Sequence, residues 1–88
     1  MTCEQLKASL QQLPLSELEV HVRDAWPRFI ATVASPDFAG ENEAVRQDRI
    51  WRHLLNQLSD AALAQIEFVF TFTPQELAAL DRGERPAM

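Results

Sequence analysis

The 88-residue chain has one cysteine, two glycines, no tyrosine and no long apolar run. Each shortage removes a class of function. The single thiol, Cys3, closes no intramolecular disulfide and completes no C-x-x-C pair, so a reducing, cytoplasmic compartment is the expectation. Gly40 and Gly83 stand far apart, and no serine lies in a G-x-S-x-G turn of the kind that presents a nucleophile. No segment approaches the ~18 apolar residues of a bilayer-spanning helix, and no secretory leader pattern opens the sequence. Positive charge is also scarce. Eight Lys and Arg stand against thirteen Asp and Glu, a net charge of -5 that disfavours bulk attraction to a phosphate backbone.

What is present reads as one small globular domain over residues 1–82 with a flexible tail over 83–88: 47% of residues are hydrophobic and 24% charged. Thr2 with Gln5 forms a capping-box pattern ahead of Leu6, Leu10 and Leu13, so the chain opens with a helix that Pro14 stops. Leu18, Val20 and Val22 alternate with Glu19, His21 and Arg23, which predicts a strand. A second strand from Arg28 to Ala34 follows the short connection Asp24-Ala25-Trp26-Pro27, so the two pair as an antiparallel hairpin. Pro27 argues against unbroken pairing across that connection.

Ser35-Pro36-Asp37-Phe38 has a capping serine and a first-turn proline, the pattern of a single helical turn, and Gly40 supplies the left-handed backbone that ends it. The longest helix runs from Asn42 to Leu58 with Val45, Ile50, Trp51, Leu54, Leu55 and Leu58 as its stripe, and Ser59 caps a further turn through Ala64. Ile66, Phe68, Phe70 and Phe72 alternate with Glu67, Val69, Thr71 and Thr73, a third strand. Thr73-Pro74-Gln75-Glu76 then starts a closing helix. The order α-β-β-α-α-β-α predicts an α+β domain, a three-stranded mixed sheet with helices packed on one face. In this reading the phenylalanine stripe lies under the helices, and Phe→Ala within it costs ~3–5 kcal/mol. Glu19, His21, Arg23, Thr32 and Glu67 then face water.

Candidate sites are few. Cys3, His21 and His53 fall on three different elements without metal-ligand spacing, so no metal is expected, and neither histidine has an evident nucleophile to serve. Glu41 with Glu43 and Glu17 with Glu19 read as solvated charge, and the chain is read as non-enzymatic. Trp26, at a hairpin tip before proline, and Phe38 in the next junction are the candidates for binding a protein partner. The alternative is that Trp26 folds over the sheet edge and Phe38 plugs the core. Arg46, Arg49 and Arg52 form a second candidate, a stripe for nucleic acid, against which Glu43 and Asp48 suggest an ion-paired solvent face.

Val33-Ala34-Ser35-Pro36-Asp37-Phe38-Ala39-Gly40, Arg46, and Ile66 to Pro74 ending in Thr71-Phe72-Thr73-Pro74 resemble BolA-like proteins in order and spacing from Leu6 to Leu80. The resemblance implies a fold related to the type II KH domain. It also implies a regulatory module of iron homeostasis or stress response, whose partner is a monothiol glutaredoxin sharing an iron–sulfur cluster with it. The family ligates that cluster with a histidine at the start of the last strand and a His or Cys in the hairpin loop. Gln65 and Asp24-Ala25-Trp26-Pro27 stand there instead, and a carboxamide is a poor ligand where thiolate or imidazole is required. The expectation is therefore an interaction module without a cofactor. The basic run of the long helix is altered as well, to Arg46-Gln47-Asp48-Arg49, and the Gly-x-x-Gly clamp by which KH domains hold nucleic acid is missing.

Overall fold

Residues 1–81 are described by a computed structural model, and the tail expected over 83–88 lies outside them. Local chemistry starts each helix. The Thr2 hydroxyl accepts from the Gln5 N–H at 3.1 Å while the Gln5 carboxamide accepts from the Thr2 N–H at 2.8 Å, opening α1 (Cys3–Leu10). Two strands follow, β1 (Glu19–Ala25) and β2 (Arg28–Ala34), paired antiparallel from Glu19↔Ala34 to Ala25↔Arg28. Pairing thus continues to the last residue on each side of a two-residue turn, Trp26-Pro27, whose peptide bond is cis. The interruption expected from Pro27 does not occur, because proline in the turn itself lies outside the ladder and need donate nothing to it.

Ser35 caps a 3-10 turn (Pro36–Phe38), and its hydroxyl donates to the Ser16 carbonyl at 2.7 Å, tying this junction back to the chain before β1. Gly40 has φ 80°, the left-handed backbone that glycine adopts without strain. Asn42 and Ser59 cap α2 (Glu43–Gln57) and α3 (Asp60–Leu63). Then come β3 (Ile66–Phe72), parallel to β2, and α4 (Pro74–Asp81), so the sheet order is β1-β2-β3. The core lies between one sheet face and the helices: Leu6, Leu10 and Leu13 from the N-terminal segment, Ile50 and Leu54 from α2, and Val20, Ala31, Val33, Ile66 and Val69 from the strands.

One expectation is reversed. Phe29 pairs with Ile66 but Ile30 pairs with Phe68, so Glu67 is an extra residue, a β-bulge. Past the bulge the side chains change phase. Val69 and Thr71 point into the core, while Phe68 and Phe70 are 45% and 42% exposed on the opposite face and Phe72 is half-buried. The helix face needs the smaller residues. α2 approaches β3 closely enough for the Gln47 amide to donate to the Val69 carbonyl at 2.8 Å and for the Thr71 hydroxyl to donate to Glu43 at 2.8 Å. Two phenylalanines there would hold the helix away. Glu19, His21, Arg23, Thr32 and Glu67 do face outward, but they share that face with the aromatic row.

Candidate functional site

The β1–β2 ladder runs to Ala25↔Arg28, and this places Trp26 at the extreme end of the sheet, 88% exposed. Its neighbours are fixed. Arg28 donates to the Glu67 carboxylate at 2.9 Å, linking the turn end of the hairpin to the bulge, and the Phe29 N–H donates to the Gln65 carbonyl at 2.8 Å. The indole therefore projects from the two-residue turn that closes a fully paired ladder.

Gln65 enters β3 beside this hairpin. Its carboxamide accepts from the Met1 amino group at 3.3 Å and turns toward the Ala61 carbonyl, over a shallow groove of about 420 Å³ shared with Gln5, Gln57 and Ser59. The residues at the two positions to which the resemblance would assign an iron–sulfur cluster are thus a carboxamide already hydrogen-bonded within the fold and a turn with neither thiol nor imidazole. This donor set does not fit such a cluster. Elsewhere, Cys3 and His21 line one small cleft of about 180 Å³ with Glu4, Lys7 and Val22. Its imidazole meets Glu19 at 2.8 Å, and among the described residues no three His, Cys, Asp or Glu side chains converge. His53 instead bonds the Ser9 carbonyl at 2.7 Å, linking α2 to α1.

Two candidates from the sequence are corrected. Phe38 has no exposed surface and packs among Ile50, Leu54 and Val33, so it is a core residue and offers nothing to a partner. Arg46 is only 8% exposed, because four elements close around it. Its guanidinium donates to the carbonyls of Glu41 and Phe38, both at 3.0 Å, and to the Glu76 carboxylate at 2.8 Å, and sits 5.6 Å from the Phe38 ring centroid. Arg49 pairs with Glu41, and Arg52 with Asp48 at 2.9 Å one turn away. Gln47 spans Glu43, Val69 and the Trp51 indole. The three arginines therefore form no free cationic stripe. Burial alone would raise the Glu76 pKa, but the Thr73 N–H and the Arg46 guanidinium outweigh it and hold the carboxyl below its ordinary 4.5.

The feature that sequence reasoning missed is the open sheet face. There Arg23, Ile30 and Phe68 form one row across the strands and His21, Thr32 and Phe70 the next. Period-two alternation is visible in the sequence, but which phase faces the helices is set by the bulge, and nothing local in Gln65-Ile66-Glu67 announces one.

No protein-family model matches the chain, and no curated protein matches it in sequence. Solved structures do match in shape. A Bol-like protein from Babesia bovis superposes with a TM-score of 0.57 at 22% identity, over 93% of this chain and 95% of that one. BolA1 from Arabidopsis thaliana gives 0.54 at 21% identity, over 84% and 93%. Both likenesses fit the element order and mixed sheet set out above, and on them the chain is built on the BolA-like fold.

Proposed function

We propose that the chain is a non-enzymatic interaction module of BolA-like architecture that takes a protein partner through the Trp26-Pro27 hairpin tip. The observation that carries this reading is the 88% exposure of Trp26 on a fully paired hairpin. A large ring held in water without local function is unfavourable, and tryptophan is enriched among the residues that dominate binding energy. Among the described residues no helix is long and apolar enough to cross a membrane. The finer form of the proposal is a cytoplasmic partner of the monothiol glutaredoxin kind and a role in iron homeostasis or stress response. It rests on the likeness of fold. Recognition would then be by protein contact, since Gln65 and the hairpin supply no cluster ligand.

The test is binding of a purified monothiol glutaredoxin, with and without its cluster, to the immobilised chain and to Trp26→Ala. The expected result is binding to both forms of the glutaredoxin, weakened about tenfold or more by Trp26→Ala, with thermal stability of the variant unchanged. Equal binding to chain and variant overturns the hairpin as the contact. Absence of binding removes the glutaredoxin. Dependence on a cluster that acquires a ligand from this chain would contradict the reading of Gln65.

A further inference from the structure

One helix of the fold stands outside the core. We infer that α4 is a detachable latch over a carboxylate socket built around Arg46. The helix opens as a unit about Thr73 while the rest of the fold stays closed, and the guanidinium then takes a carboxylate from outside the chain in place of Glu76. The socket lies at the Thr71 end of β3, the end of the sheet opposite the Trp26 tip, and does not depend on that contact.

Little apolar surface holds α4 in place. The core cluster and the apolar side chains packed against it come from α1, α2, α3, the strands and their connections, and none comes from α4. From Pro74 to Leu80 no residue of the helix is buried, and Leu80 is 37% exposed. A helix of eight residues is not stable on its own, so its attachments decide whether it stays formed. Most of them are internal. The cap bonds between Thr73 and Glu76, and the Leu77 N–H to the Thr73 carbonyl at 3.0 Å, join the helix only to its own start. Among the described residues the one hydrogen bond from α4 to another element is that between Glu76 and Arg46, at 2.8 Å. A segment tied down in this way opens at a fraction of the free energy of global unfolding.

Arg46, by contrast, does not depend on α4 for its position. Its Nε donates to the Glu41 carbonyl and its Nη2 to the Phe38 carbonyl, both at 3.0 Å, and the guanidinium lies 5.6 Å from the centroid of the fully buried Phe38 ring. These partners belong to the 3-10 turn and the segment leading into α2. Only Nη1 is turned to α4, where it donates to Glu76 and reaches the Thr71 carbonyl at 3.4 Å. When α4 opens, Nη1 loses its strong acceptor and a largely buried cation loses its ion-pair partner. The other carboxylates nearby are engaged elsewhere: Glu41 pairs with Arg49, and Glu43 accepts from the Thr71 hydroxyl and the Gln47 amide. The vacated position therefore selects an anion. Glu76 shows in the closed state that a carboxylate fits it, and a charge-assisted hydrogen bond of this kind is about twice as strong as a neutral one.

Native-state hydrogen exchange on the full chain tests the latch. After correction for intrinsic rates, Leu77, Ala78, Ala79 and Leu80 should exchange about a hundredfold or more faster than Ala31 and Ile50. Urea below the unfolding transition should accelerate the core amides and leave those of α4 unchanged. Equal protection and equal urea dependence in helix and core overturns the proposal. The socket is read from the Arg46 Nε–H resonance in Glu76→Ala, with circular dichroism as the control for folding. Sodium acetate should shift it saturably, about threefold or more beyond sodium chloride at equal ionic strength and beyond acetate in the wild type, where Glu76 competes. A capped peptide of residues 73–80 should bind the same variant about fivefold tighter than its copy with glutamine for glutamate. Saturation by acetate alone assigns the socket to a small acid, and saturation by the peptide assigns it to an acidic protein segment; either sustains it. No excess over chloride with acetate and no discrimination between the peptides overturns it, as does an equal response at Arg49 or an acetate shift as large in the wild type.

Discussion

Arg46 concentrates more of the fold than any other charged side chain here. It closes the carbonyl of Phe38 at the end of the 3-10 turn, the carbonyl of Glu41 before α2 and the carboxylate of Glu76 at the start of α4. Replacing it with alanine leaves the Glu41 carbonyl without a donor, while the Phe38 carbonyl keeps the Glu41 N–H and the half-exposed Glu76 carboxylate keeps the Thr73 N–H, so Arg46→Ala should lower unfolding free energy by ~1–3 kcal/mol in urea titration. Arg46→Lys should lie between the two, since a single ammonium cannot reproduce the guanidinium fork. Glu76 gives the matching pH signature. Its folded-state pKa is depressed, so the stability it contributes is present above its ordinary value of 4.5 and is lost as the pH falls through the lower folded value. Thermal unfolding of wild type and Glu76→Gln should therefore differ at neutral pH and converge in acid. A gap that stays constant into acid would show that the carboxylate charge contributes nothing.

At the scale of the element, starts and stops are local chemistry and can be read directly. Thr2 with Gln5, Thr73 with Glu76, Ser35 before Pro36 and Gly40 each act through bonds within a few residues, and each is found where the sequence puts it. The phase of β3 is a different kind of quantity. Both sets of alternating residues are good strand formers, and the choice between them depends on the bulge at Glu67 and on how near α2 must come. That is tertiary information. It also inverts the ranking of substitutions on the strand. Val69→Ala, at a fully buried position, should cost about 2 kcal/mol, whereas Phe70→Thr on the open face should cost under ~1 kcal/mol. Chemical denaturation of the two variants decides it, and a larger loss at Phe70 would return the aromatic row to the core.

For the whole molecule, the distribution of charge matters more than its sum. Spacing alone places Trp26 at a hairpin tip, because a two-strand ribbon is short-range. The fate of Arg46 is not legible in the same way, since it is settled by segments 8 to 30 residues distant. The helix pattern shows arginines at 46, 49 and 52 as a stripe. Folding consumes the first in the interior and sets Glu41 and Asp48 against the other two. An anionic polymer approaching α2 therefore meets compensated charge on a chain of net charge -5, with few counterions to release on contact. Fluorescence anisotropy with a short DNA or RNA oligonucleotide at about 150 mM salt should show no saturable binding, and Arg49→Glu should leave the trace unchanged. Saturable binding that falls steeply with salt and is lost in Arg49→Glu would mean that the Glu41 pair opens to admit phosphate, and α2 would then be a working nucleic-acid surface despite its ion pairs.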